Sequence, residues 1–230
     1  MKLIRNDKLI KRNKKLGNIL FIAGIAVLGG GLVLSFNPTM TKTLLSFAAL
    51  IVGFVISQIS THIVNRFGRS PRNDELISDN LTKFNNDYSL YIYKAPVPIL
   101  LVSPVGLWIP VPINATGEIY FDKKWKQRGG AALMKFFGQE NIGKPELDVA
   151  SNEEEITKFL VKFLSEDEMP PINSILVSMN PKAEIGDVSD APTPIVPLDA
   201  LRRKIRKFER DSELTIPQDI LTKIYNALDN

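Results

Sequence analysis

The 230-residue chain has no cysteine and a single histidine, His62. The first absence excludes disulfides, thiolate nucleophiles and cysteine-based zinc sites. The second excludes His-containing triads, His-rich metal centres and most imidazole proton shuttling. Any catalysis would have to rest on carboxylates, lysine or hydroxyls. No internal repeat or low-complexity tract is present. Net positive charge is also confined to one end. Residues 1–42 hold eight Lys and Arg (Lys2, Arg5, Lys8, Lys11, Arg12, Lys14, Lys15 and Lys42) against Asp7. The remaining residues carry 21 basic and 24 acidic side chains, so the overall +4 belongs to the N-terminal arm. This distribution argues against broad nucleic-acid binding by the folded body.

What the chain has in excess is apolar sequence near its start. Leu16 to Phe36 reads LGNILFIAGIAVLGGGLVLSF, with Asn18 its one strongly polar residue. At helical rise this run reaches about 30 Å, the thickness of a bilayer's hydrocarbon core. After the polar link NPTMTK (Asn37 to Lys42), a second run extends from Leu44 to Ile63. The sequence therefore predicts two transmembrane helices, at about 16–36 and 44–63, joined as a hairpin. The first run is too long for a signal-peptide core, and no small-residue cleavage site follows it. Basic residues precede the first span, and Arg66, Arg69 and Arg72 follow the second, whereas the link holds Lys42 alone. The positive-inside rule then places both termini in the cytoplasm of a multi-pass cell-membrane protein.

Small residues recur at four-residue spacing in the spans: Ala26 and Gly30 in the first, Ala49, Gly53 and Ser57 in the second. Such residues allow close helix approach in lipid. They fit packing within the hairpin first, and as the alternative a homo-oligomer or a protein partner in the membrane. His62 is expected to be an interfacial anchor.

Beyond the linker at residues 66–73, residues 74–230 read as a cytosolic α/β domain. DELISDNLTKF gives a helix with Leu76, Ile77, Leu81 and Phe84 inward. Strands follow at Tyr88–Lys94, Val97–Val102, Leu107–Ile113 and Glu118–Phe121. EEEITKFLVKFL is an amphipathic helix with Ile156, Phe159, Leu160 and Phe163 inward. NSILVSM and PIVP are further strands, LDALRRKIRKF a helix, and a last helix begins at about Pro217. This order implies a mixed sheet flanked by helices, as in restriction-endonuclease-like folds.

The stretch SPVGLWIPVPIN (Ser103 to Asn114) sets Pro110 and Pro112 one position out of step with Val111 and Ile113. Proline cannot donate to a sheet ladder, so the pattern predicts a bulged strand or a strand at a sheet edge. Together with Glu75 in the preceding helix, TGEI (Gly117, Ile119) and WKQ (Trp125, Gln127), this stretch resembles the NERD (nuclease-related) domain family. That family is a branch of the PD-(D/E)XK nuclease-like fold. The resemblance covers about residues 70–130, with Ser103 standing where the family's turn has Gly. It implies a divalent-metal site built from an Asp before the turn and a Glu and a Lys two apart after it. Aligned on Gly106, those positions fall on Pro98, Val111 and Ile113, none of which can hold a metal or carry a proton. The resemblance thus implies a degenerate member with no catalytic, metal-binding or cofactor-binding residue, acting as a binding or scaffolding module. A relocated metal-dependent nuclease site would have to draw on Glu75, Glu118, Asp122, Lys123 and Lys124. A structural subunit of a membrane complex is the other alternative.

Two basic segments remain. LRRKIRKFER places Leu201, Ile205 and Phe208 on one face and Arg202, Arg203, Lys204, Arg206 and Lys207 on the rest. These five read first as a solvated helix face; as the alternative they are candidate contacts for phosphate, in a lipid headgroup or in nucleic acid, with lipid the cheaper of those two because the hairpin holds the domain near a leaflet. Residues 1–15 read as a basic cytoplasmic arm, whose lysines with Leu3, Ile4, Leu9, Ile10 and Leu16 fit an amphipathic surface helix and equally simple positive-inside flanking. GQENIGKP (Gly138 to Pro145) mimics a phosphate loop, but Pro145 replaces the hydroxyl residue that would hold Mg²⁺, so it is read as coincidence.

Overall fold

The computed structural model describes residues 1–36, 38–130 and 141–229. Asn37 of the interhelical link, and Gly138 to Glu140 of the phosphate-loop mimic, lie outside the described residues. The chain divides into two compact units: Met1–Asn6 with Asn73–Asn230, and Asp7–Arg72.

The second unit is a pair of helices, α1 (Asp7–Ser35) and α2 (Met40–Phe67). Both are long and apolar enough to cross a membrane by length and composition. α1 starts well before its apolar run and α2 extends past its own at both ends, because the flanking basic and polar residues include good helix formers. Thr39 caps α2, its hydroxyl accepting from the Lys42 N–H at 3.3 Å.

The two helices meet along small residues spaced by seven. Gly17, Gly24 and Gly31 are buried on α1, and Ser46, Gly53 and Ser60 on α2. Seven-residue spacing keeps one seam turned toward the partner helix along its length. At this seam a side chain has no room. A Cβ on Gly31 would lie 2.9 Å from the Ala49 Cβ, and one on Gly53 2.7 Å from Leu28. Ser46 donates to the Gly31 carbonyl at 2.7 Å and Ser60 to the Gly17 carbonyl at 3.0 Å. The four-residue pattern is corrected here for α1. Ala26 and Gly30 are exposed, and a Cβ on Gly30 would touch nothing, whereas Ala49, Gly53 and Ser57 do face α1.

The first unit is an α/β layer structure around a mixed six-stranded sheet. Its strands are β1 (Lys2–Arg5), β2 (Ser89–Ile92), β3 (Ile99–Val102), β4 (Leu107–Ile113), β7 (Ile172–Ser178) and β9 (Ile195–Pro197), in that order. β2–β3 and β3–β4 are antiparallel, and β1–β2, β4–β7 and β7–β9 are parallel. A second sheet holds β5 (Gly117–Asp122) between β6 (Lys124–Arg128) and β8 (Ala183–Ile185). Its first residue must be glycine. Gly117 has φ +76°, and a Cβ there would lie 2.4 Å from the Arg128 carbonyl. Helices α3 (Asn73–Leu81), α4 (Pro145–Leu160), α5 (Leu201–Asp211) and α6 (Gln218–Asp229) complete the unit.

Alternation along the strands assigns the two faces of the large sheet. Tyr91, Leu100, Leu107, Ile109, Val111, Ile113 and Leu176 share one core with Ile156 and Leu160 of α4 and Ile220 and Ile224 of α6. The intervening residues look the other way. There Trp108 meets Phe208 of α5 edge-on, with ring centroids 5.1 Å apart.

Two expectations are corrected by this sheet. The basic arm at residues 1–15 is not one element. Lys2–Arg5 pairs with β2, secured by Lys2 N–H to Tyr88 carbonyl at 2.8 Å and Asn6 N–H to Ile92 carbonyl at 3.0 Å, and α1 starts at Asp7. The folded domain therefore includes residues 1–6 as well as those from 73 onward. The strand was missed because its partner is more than 80 residues away and no local pattern announces a parallel pairing.

Strand β4 is neither at the sheet's edge nor bulged; it lies between β3 and β7. Its prolines are accommodated by direction. The Leu107 N–H bonds toward β7 at 2.8 Å, so 109, 111 and 113 point there too, and 108, 110 and 112 point to the β3 side. Pairing with β3 stops at Trp108, whereas pairing with β7 covers all seven residues. Pro110 and Pro112 thus lack a donor only on the side where ladder pairing has already ended.

Candidate functional site

The positions that would carry a nuclease site are distributed as follows. Val111 and Ile113 lie 5% and 4% exposed in the core beneath α4. Their register partners on β7 are Leu176 and Ser178, and Ile109 pairs with Ser174. The hydroxyls of Ser174 and Ser178 are buried without a hydrogen-bond partner among the described residues. Pro98 is half-buried in the connection between β2 and β3, its carbonyl accepting from the Tyr93 N–H at 2.8 Å.

Of the residues available for a relocated site, four lie along β5 and its turn into β6 and Glu75 lies on α3. Glu75 is in the first turn of α3. Glu118 and Asp122 lie on β5 and are engaged by cross-strand cations, Glu118 with Arg128 at 3.2 Å and Asp122 with Lys126. Lys123 and Lys124 lie where β5 turns into β6. Among the described residues no three His, Asp or Glu side chains converge as metal ligands.

The strongest concentration of functional side chains is on α5. Arg202, Arg203, Arg206 and Lys207 line a cleft of about 770 Å³ with Tyr88, Val105, Glu209 and Arg210. Lys204 lies on a second, shallower concavity of about 300 Å³ with Lys207, Phe208, Asp211 and Ser212. Helical spacing explains the grouping: 202, 206 and 210 form one row and 203 and 207 the next. Arg206 is held in place, its guanidinium 5.2 Å above the Phe84 ring and donating to the Lys83 carbonyl at 3.1 Å.

The expected inward face of this helix is corrected. Leu201 and Ile205 are buried, but the third buried residue is Glu209, and Phe208 is 43% exposed. Four-residue steps from Leu201 lead to Ile205 and then Glu209, so a carboxylate occupies a core-facing position. Both of its oxygens are occupied. Tyr88 donates to Oε2 at 2.6 Å and the Trp108 indole N–H to Oε1 at 3.2 Å. Burial, and then the hydrogen bond to Glu209, push the Tyr88 hydroxyl above the ordinary tyrosine range.

Other parts of the cleft are placed by local turn chemistry. The Ser103 hydroxyl accepts from the Val105 and Gly106 N–H groups at 3.3 and 3.1 Å and fixes the turn that presents Val105. A serine can do this where glycine could not. Sequence reasoning missed Tyr88, Val105, Glu209 and Arg210. Of these, Glu209 carried a readable signal, an acid on the buried stripe of an amphipathic helix.

Replacing Glu209 by Ala strands the buried Trp108 N–H and frees the part-buried Tyr88 hydroxyl, and the expected loss of stability is about 1–3 kcal/mol. Glu209→Gln should lose less. Its carbonyl can still accept from Trp108, and its amide can donate to the Tyr88 hydroxyl, which also accepts. Thermal or urea unfolding of the two variants checks the ordering.

Compared with known proteins, the chain matches no family model, no curated protein and no solved structure.

Proposed function

We propose that this protein is a membrane-anchored, non-catalytic binding or scaffolding module, its folded domain a degenerate relative of the nuclease-related domains with a restriction-endonuclease-like sheet. The observation that carries this reading is the burial of Val111 and Ile113 in the α4 core, at the positions where the resemblance calls for Glu and Lys. A metal site there would need two ionised groups in an apolar interior, which without a bound metal is strongly disfavoured. The α1–α2 pair is the anchor. Both of its ends connect to one folded unit, through β1 and through α3, which supports termini on the same side of the cell membrane. The basic residues at those ends favour the cytoplasmic side.

A second reading, a structural subunit docked through its spans, is supported by the open faces of Gly29 and Gly30, where an added Cβ would meet nothing.

Calorimetry on the detergent-solubilised full chain tests the non-catalytic reading. Titration with Mg²⁺ and Mn²⁺ is expected to give no tight binding. Tight binding that disappears in Glu118→Ala would overturn it in favour of a relocated nuclease site.

A further inference from the structure

We propose that α5 is a second membrane contact, docking the folded domain on the anionic phospholipid surface of the bilayer that the hairpin enters. This rests on the reading of α1 and α2 as membrane spans. Lys204, Arg203 and Lys207 are exposed, and neither they nor the half-buried Arg202 make a side-chain hydrogen bond or ion pair with another described residue. Like charges at four-residue spacing, as in Arg202–Arg206–Arg210 and Arg203–Lys207, destabilise a free helix. A negatively charged ligand relieves that repulsion. Of the helix's own acids, only Asp211 relieves any of it, and only at Arg210. Glu209 turns inward with both oxygens engaged, and Asp211 sits against Arg210.

The chemistry of the surface points to a lipid leaflet. Phe208 emerges beside Lys204 and Lys207, 43% exposed. A partly exposed aromatic flanked by two lysines suits an interface in which phosphates lie above hydrocarbon. A soluble phosphate would require enclosing donors, but the basic side chains here stand in solvent. A nucleic acid would require a positive track running on from α5. Outside residues 1–42 the chain carries more acids than bases, which a long polyanion would meet.

The absence of cysteine allows a direct test. A single Ser212→Cys, beside Phe208, carries a fluorophore on the full chain reconstituted in nanodiscs that contain a spin-labelled quencher lipid. One set holds phosphatidylcholine alone and the other adds phosphatidylglycerol. Quenching is expected to be markedly stronger with phosphatidylglycerol. Arg203→Glu together with Lys207→Glu should abolish the difference, since each lost cation lowers surface attachment roughly fivefold. These two residues have no side-chain partner among the described residues, so circular dichroism should be unchanged.

Equal quenching in both lipids would overturn the proposal. So would loss of the lipid effect on adding inorganic phosphate at modest concentration, or stronger retention of a single-stranded oligonucleotide than of phosphatidylglycerol. Failure of the chain to enter nanodiscs at all would instead overturn the hairpin reading, and the docking proposal with it.

Discussion

Val111→Glu should bring the folded domain to the edge of unfolding. The position is 5% exposed, packed in the core formed with Ile156 and Leu160, with Leu176 as its register neighbour on β7. No cation among these residues can pair with a carboxylate there. An uncompensated buried charge costs on the order of 3–5 kcal/mol, against a total stability of about 5–15 kcal/mol for an ordinary domain. Ile113→Lys should cost a similar amount, since Ile113 is 4% exposed in the same core. The pH dependence of Val111→Glu follows from sign. Burial raises the carboxyl's folded pKa above its unfolded value, so in acid both states hold the proton and the charge penalty vanishes. As pH rises past the ordinary carboxylate range, the unfolded state releases its proton first and stability falls. Urea unfolding at two pH values, followed by tryptophan fluorescence, reads both effects. Preserved stability at neutral pH would mean that this face is a solvated pocket.

The second large effect is expected in the hairpin, between adjacent residues. Gly31→Leu should disrupt α1–α2 packing, because even the first added carbon would fall 2.9 Å from the Ala49 Cβ and 3.4 Å from the Ser46 carbonyl oxygen. Overpacking of this kind costs about 1–3 kcal/mol. Gly30→Leu should be nearly silent, since a Cβ there meets nothing. A reporter disulfide separates them. A Cβ on Gly24 would lie 2.9 Å from the Ser57 hydroxyl oxygen, so a Gly24→Cys, Ser57→Cys chain should oxidise internally. Oxidation should slow roughly tenfold with Gly31→Leu added, by the same energy scale, and hold its rate with Gly30→Leu. Equal behaviour of the two leucine variants would contradict the seven-residue seam.

The legible parts of this fold were those with local signals. The two apolar runs, the alternation of YSLYIYK and VPILLV, and the amphipathic stripe ending at Ile156 and Leu160 each specify an element within one window of sequence. Four features were obscured for physical reasons. β1 depends on a parallel partner far along the chain. The prolines of β4 were misplaced because the two edges of one strand can have different neighbours, and only the tertiary arrangement shows that pairing with β3 stops at Trp108. The small residues of α1 offered two periodicities, and pairing with α2 selected the seven-residue one. Glu209 was overlooked because Phe208 is the more apolar neighbour. The buried position went to the residue that Tyr88 and Trp108 can hydrogen-bond. The basic residues of α5 were readable as a group. Their division between two concavities, and the contribution of Tyr88 and Val105, required the fold.

The most direct test of a non-catalytic domain is cleavage itself. The full chain in detergent would be incubated with plasmid, single-stranded DNA and RNA in Mg²⁺ and in Mn²⁺. The account predicts no metal-dependent cleavage of any of them by folded protein. Cleavage that EDTA stops and Glu118→Ala abolishes would contradict it, and would place a working metal site on β5 instead of the apolar core beneath α4.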